Sequence, residues 1–375
     1  MTKKFWTLFM AAALAVGVLA GCSKKAAAAK KKSEDAAPAE INLAAYAPEG
    51  ADGISYINGK NIFRTKIFTA YRKTLAYENM VKKARKEGID LDEVVQGELC
   101  AFGDMSKLSG DMGMIRKGHD YDTDFVYRGP GRAAENLFGL LAKAAKMGFE
   151  SEKRRFEQNK EERGENASEM TAPGYSADDI AGKRAVTYRS SHGVGGTAIL
   201  LDGNTLQLTV SVGKKGGPAA APLQKGSSEL VRKIDTNALF CIFQKIGKLP
   251  PELTEMLNSD DAKLYRDILI DLKSYTANAC EIGDDLELKV VGEYGSDEAA
   301  KRSCETLIAL RKLGQEALRK EKDSSAAVVV RILDAIDIER NGATVTIRLK
   351  YGQDEFVKLI GEWDREEREL AKNRQ

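Results

Sequence analysis

Three regimes of apolar patterning follow one another along the chain of 375 residues. An unbroken apolar run from Phe5 to Ala20 comes first, and a stretch from Ser23 to about Ala45 with almost no large apolar side chain follows it. The rest of the chain alternates between strand and helix periods. "ADGISYINGKNIF" predicts a strand over Ile54–Ile57 that leads into a helix from about Phe63 to Lys86. "DTNALFCIFQKIG" repeats that pattern, with a strand over Ala238–Phe243 and a helix from about Pro251 to Leu272, where Leu253, Met256, Leu257, Leu264, Ile268 and Leu272 recur at helical intervals.

The parallel continues. "GELCAFGDM" answers "TANACEIGDD", and each is followed by a strand that passes through a Gly-containing turn into a long amphipathic helix. Ser296 is placed to cap the second of these helices, with Asp297 and Glu298 in its first turn. Each half then closes with alternating apolar positions around Gly203-Asn204 or Asn341-Gly342, and Asn-Gly is a strong hairpin signal because both central positions need positive φ.

Each half therefore reads β-α-β-β-α-β-β. The expected fold class is α+β: two similar ferredoxin-like (split βαβ) domains, antiparallel sheets with helices on one face. The expected division is 47–212 for the first domain, a Gly/Pro/Ala-rich linker over 213–230, and 231–375 for the second with a C-terminal helix. A single sheet shared by both halves is the rival arrangement. The first half departs from the repeat by an additional stretch around Lys107–Asp124 and by a helix that runs on into "SEKRRFEQNKEERGENASEM" before Pro173 and Gly174 break it. Phe356, Leu359, Ile360 and Trp363 mark one face of the last helix, a face expected to pack on the second domain.

The first regime has the layout of a secretory signal. Lys3 and Lys4 precede the apolar run, small residues close it, and it falls short of the roughly 20 residues a spanning helix needs. Leu19, Ala20, Gly21 and Cys22 at its end resemble the lipobox of bacterial lipoproteins. That resemblance covers only the first twenty-odd residues. It implies a signal peptide over 1–21, diacylglycerol attached to Cys22, and acyl chains such as palmitate in the membrane. Two or more chains anchor stably, at roughly 0.8 kcal/mol per buried CH₂. Ser23, in the place where Asp marks inner-membrane retention in enteric members, implies outer-membrane sorting, with the body facing the periplasm. Residues 22–46 carry Lys24, Lys25, Lys30, Lys31 and Lys32 among alanines, and are expected to be a disordered tether reaching roughly 25–30 Å.

Charge adds one exclusion. The chain has 58 basic and 56 acidic residues, and loss of Lys3 and Lys4 with the signal balances them, so no basic excess points to nucleic acid. Candidate chemistry is thin. "GHDYDTD" sets His119 beside Asp120, Asp122 and Asp124, but an EF-hand loop would need Gly and Glu where Phe125 and Gly131 stand. "SSHGVGG" over Ser190–Gly196 puts serines beside His192 without a nucleophile elbow, and a turn is the simpler reading. Arg132 sits at a helix start, where an anion could rest, but no Walker lysine accompanies it. Cys100, Cys241, Cys280 and Cys304 have no C-x-x-C spacing and are expected to be buried, reduced thiols, because the split strand order would put Cys241 and Cys280 two strands apart. No catalytic residue, metal ligand or cofactor is expected. The reading is a membrane-anchored, non-enzymatic envelope lipoprotein that binds a partner or scaffolds assembly, or else carries a small molecule or lipid between its domains.

Overall fold

The computed structural model describes residues 43–48, 51–103, 121–163, 172–191, 193–212, 229–246, 257, 263–320 and 324–372. A 3₁₀ turn, Leu43–Tyr46, precedes β1 (Gly53–Asn58) and the helices α1 (Gly59–Arg64), α2 (Lys66–Tyr71), α3 (Leu75–Lys86) and α4 (Leu91–Val95). Next come β2 (Glu98–Phe102), β3 (Tyr121–Arg128), the long α5 (Ala133–Arg163), β4 (Gly174–Ser176), β5 (Asp179–Ile180), β6 (Lys183–Arg189), β7 (Val194–Leu200) and β8 (Thr205–Val212). The C-terminal half contains β9 (Phe240–Lys245), α6 (Lys263–Leu269), β10 (Leu272–Ile282), β11 (Asp285–Tyr294), α7 (Asp297–Arg319), α8 (Ser324–Asp334), β12 (Ile336–Asn341), β13 (Thr344–Gly352) and α9 (Gln353–Lys372).

The chain forms two compact units, and the division is not a single cut. One unit comprises Asn42–Phe63 with Glu78–Arg232, and the other contains Arg64–Tyr77 with Lys233–Gln375. The segment Arg64–Tyr77, which the expected division at 47–212 kept in the first domain, therefore belongs with the C-terminal half. The predicted single helix over Phe63–Lys86 breaks there. Thr65 ends one helix and caps the next, its hydroxyl accepting from Phe68 N, as a β-branched hydroxyl residue does more readily than it continues a helix.

In the N-terminal unit the strands lie in the order β1-β2-β3-β8-β7-β6-β4, antiparallel throughout, with β5 hydrogen-bonded to β6. One sheet face packs on α5 through Ala134, Val186, Ala198, Leu200 and Leu206. The row Tyr56, Cys100 and Val126 on the opposite face is buried. Leu43 and Ala44 of the 3₁₀ turn are at most 1% exposed, and their turn lies against β2 and β3. The expected tether over 22–46 is thus corrected at its end: two apolar residues bury there and repay the cost of ordering that turn. The expected linker over 213–230 is trimmed in the same way, because Leu230 is buried in a second 3₁₀ turn, Glu229–Lys233.

In the C-terminal unit the order is β9-β10-β11-β13-β12, again antiparallel. Ala277, Val290, Val345 and Ile347 face Ala299, Ala300, Cys304 and Leu307 of α7, with Ile268 of α6 in the same core. Ser296 caps α7 as expected, accepting from Ala299 N at 3.2 Å. Leu272, assigned to the preceding helix from its apolar spacing, starts β10 instead. Helix α9 lies chiefly against α2, and less against β13 and α8, with Phe356 of its apolar face against the ring of Tyr351 in β13.

The architecture is mixed α+β with antiparallel sheets, but the strand order is not the split one. In a split βαβ unit the third strand separates the first from the second. Here β1 pairs directly with β2 and β9 with β10. Both pairs are antiparallel, so neither half contains the parallel crossover of a split βαβ unit.

The hairpin turns also differ in detail. Asn341 pairs with Thr344, so the turn is Gly342–Ala343 with positive φ at Gly342 alone, the II′ pattern. Around Gly203-Asn204 neither residue has positive φ; Asp202 Oδ1 accepts from Asn204 N at 2.9 Å in an Asx turn. Among the described residues, the turn with two positive φ values is Ala181 (50°)–Gly182 (73°), joining β5 to β6.

Candidate functional site

The most developed polar cluster is on the face of the N-terminal sheet opposite α5. Asn58, Glu98 and Arg128 occupy one row across β1, β2 and β3, and Tyr56 precedes Asn58 on the same face. Tyr56 Oη donates to Glu98 Oε1 at 2.7 Å, while Arg128 Nη2 and Nε donate to Glu98 Oε2 at 2.6 and 3.2 Å. The Glu98 and Arg128 side chains are under one-quarter exposed. Burial, and then the Glu98 carboxylate, hold the Tyr56 hydroxyl far above the ordinary phenol range, so it remains a donor. Tyr46 of the 3₁₀ turn is raised in the same direction by burial and then Asp202, with Arg128 opposing. Both carboxylate oxygens are engaged and the guanidinium is neutralised in place. The cluster therefore clamps β1, β2 and β3 together. Sequence reasoning passed over it because its members are 42 and 30 residues apart.

A second polar row crosses four strands on that face. Thr187, Thr197, Thr209 and Asp124 are consecutive register partners on β6, β7, β8 and β3. Thr187 and Thr197 hydroxyls are 3.0 Å apart, and Thr209 Oγ1 donates to Asp124 Oδ1 at 2.5 Å. Asp124, considered from sequence as a metal ligand, thus accepts a cross-strand hydrogen bond. Its companions His119 and Asp120 lie outside the described residues, as do Leu19, Ala20, Gly21 and Cys22 of the N-terminal motif. Among the described residues no group of three or more His, Cys, Asp or Glu could hold a metal ion.

The remaining sequence candidates take part in turns and caps. Ser190 Oγ accepts from Val194 N at 3.1 Å and Ser190 N donates to Val194 O at 2.7 Å, which closes the β6–β7 connection. Ser191 N donates to Glu152 at 2.9 Å, and His192 lies outside the described residues. At the start of α5 the anion is the protein's own: Glu93 Oε1 accepts from Arg132 N at 3.3 Å, and Arg132 Nε binds Glu135 at 2.7 Å. Gly131 makes that approach possible, with φ +54° and a would-be Cβ only 1.9 Å from Glu93 Oε1.

Cys100, Cys241, Cys280 and Cys304 are free thiols, and all but Cys280 are buried. The geometric reason given from sequence is corrected: β9 and β10 are neighbours, Cys241 is opposite Asn278, and its Sγ donates to Asn278 Oδ1 at 2.7 Å. Burial pushes the Cys241 thiol up to about 11, which makes it a poor nucleophile.

No family model matches the chain, and no curated protein matches it. Among solved structures, three crystal forms of TP0453 (I, III and IV) cover 86% of this chain and 97–99% of theirs, at 10% identity and TM-scores of 0.32, 0.36 and 0.37. A likeness at that level assigns neither a family nor a function.

Proposed function

We propose that this protein is a lipoprotein of the bacterial cell envelope, held on the membrane through acyl chains on Cys22 and acting without catalysis, as a binding or scaffolding module. The observation that carries the reading is the run from Phe5 to Ala20 ending in Leu19-Ala20-Gly21-Cys22, with its basic lead of Lys3 and Lys4. The non-enzymatic part rests on what the motif residues do. Ser190, Ser191, Arg132 and Asp124 are occupied in turns, caps and cross-strand bonds. The shared order β1-β2-β3-β8-β7 and β9-β10-β11-β13-β12 supports reading the two halves as a repeat. Outer-membrane residence, facing the periplasm, follows from Ser23 in this reading.

The alternative reading is a carrier of a small molecule or lipid between the two domains; a cavity inside the C-terminal unit, between Ile268, Leu272, Val290, Tyr294 and Val345, measures about 10 Å³ and has room for one water.

Metabolic labelling with radioactive palmitate followed by fractionation tests the anchor. The wild-type chain takes up label and stays with membranes until detergent is added, and Cys22→Ala loses both properties. Label retained by Cys22→Ala would refute the reading.

A further inference from the structure

The segment Arg64–Tyr77 leaves the N-terminal half, joins the C-terminal unit, and returns. Polar bonds to α9 hold it at both ends. At its start, Lys66 N donates to Gln353 Oε1 at 3.1 Å, and Lys66 Nζ pairs with Asp284 at 2.9 Å and Asp354 at 3.4 Å. Gln353 is 1% exposed and its Nε2 donates in turn to Glu281 at 2.5 Å. At its end, Leu75 N donates to Asp364 Oδ1 at 2.6 Å and Arg368 Nη2 donates to Lys73 O at 3.0 Å. Between the ends, Phe68, Tyr71 and Tyr77 form a ring cluster with centroids 5.6–6.0 Å apart.

These are the parts of a helix-in-groove complex made within one chain. An amphipathic helical segment lies along a longer helix, and charged side chains of α9 and the β10–β11 turn grip the backbone and one lysine of the guest. Its ion pairs from Lys66 to Asp284 and to Asp354 are exposed, and exposed pairs contribute little to stability, which places the segment toward the low-stability end of the fold. We propose that Arg64–Tyr77 is a releasable strap, that α9 with Asp284 is a docking groove for an amphipathic segment of this chemistry, and that a second copy of the chain supplies that segment when the strap opens. The fit to a second copy is built in: its strap offers the same lysine for Asp284 and Asp354, the same N–H for Asp364 and the same aromatic face, the usual low-cost route to exchange between protomers.

The test uses the full chain, in which Trp363 on α9 is the sole tryptophan after the predicted signal. The probe is a fluorescent peptide of residues 64–77. Phe68→Asp in the protein weakens the cis strap without touching α9. Expected is saturable binding of the peptide to Phe68→Asp at least tenfold tighter than to wild type, with a change in Trp363 emission. A peptide carrying Lys66→Glu and Phe68→Asp should not bind. In wild type, amides of α2 should exchange faster than those of β10, β11 and β13. A Phe68→Asp protein that keeps β10–β13 protection yet refuses the peptide overturns the proposal, as does wild-type exchange in which α2 opens only with the whole unit. Should Phe68→Asp unfold the unit, the double variant Lys66→Ala, Tyr71→Ala, both changes within the strap, takes its place in the same titration.

Discussion

Single residues show where this chain bears local strain. Ala181 adopts φ 50° in the two-residue turn before Gly182, a region in which a Cβ costs about 1–2 kcal/mol. Asn tolerates that region and is the favoured first residue of such turns. Ala181→Asn should therefore raise stability by about 0.5–1 kcal/mol, read as a higher urea midpoint at unchanged slope; no gain would mean that the turn relaxes in solution. The two Asn-Gly-type signals misled at this same scale. Asp202 supplies an Asx turn at one hairpin, and at the other the register sets the turn one residue later, on Gly342–Ala343. Their location was legible in the alternation of apolar residues, but turn type depends on cross-strand register.

Among the elements, α9 gains most from the fold. Its face marked by Phe356, Leu359, Ile360 and Trp363 was legible as apolar, yet its principal partner, α2, is almost three hundred residues away in sequence. Asp364 ties α9 to Leu75, at the end of the segment that contains α2. Burial raises its pKa, but Arg368 and the Leu75 N–H outweigh that and hold the carboxyl below its ordinary value. A depressed folded-state pKa stabilises the fold above the unfolded value near 3.9 and loses that contribution as pH falls through the folded value. Asp364→Asn should thus cost about 1.5 kcal/mol at pH 7, the lower end for hydrogen bonds to charged groups, and the gap from wild type should close below about pH 4. Chemical denaturation at both pH values checks this, and an equal deficit at both would exclude the ionised carboxylate as the cause.

On the scale of the whole molecule, chain threading couples the two units. If the N-terminal unit unfolds, Tyr77 and Lys233 of the C-terminal unit become the ends of a flexible loop of about 155 residues. Closing a loop of that length costs roughly 4–5 kcal/mol, a cost the folded N-terminal unit otherwise bears. Phe102→Ala, at a side chain 1% exposed in β2, should therefore lower hydrogen-exchange protection in α2 and α9 as well as in β1–β3. Unchanged protection in α2 would show that the strap holds without its flanks. The clamp of Tyr56, Glu98 and Arg128 belongs to this scale too: nothing in the spacing of those residues announces it, because only sheet register brings them into contact.

What the sequence determined by itself is whatever depends on neighbours in the chain. That includes the apolar run and motif ending at Cys22 as an expectation of anchoring, the strand and helix periods that make the body α+β, the Ser296 cap, and the positions of the closing hairpins. Strand order, the allocation of Arg64–Tyr77 to the C-terminal unit, the buried 3₁₀ turn at Leu43 and the polar clamp were decided only in three dimensions. They depend on which distant apolar faces bury together, and an amphipathic pattern records that a face must be covered without recording by what.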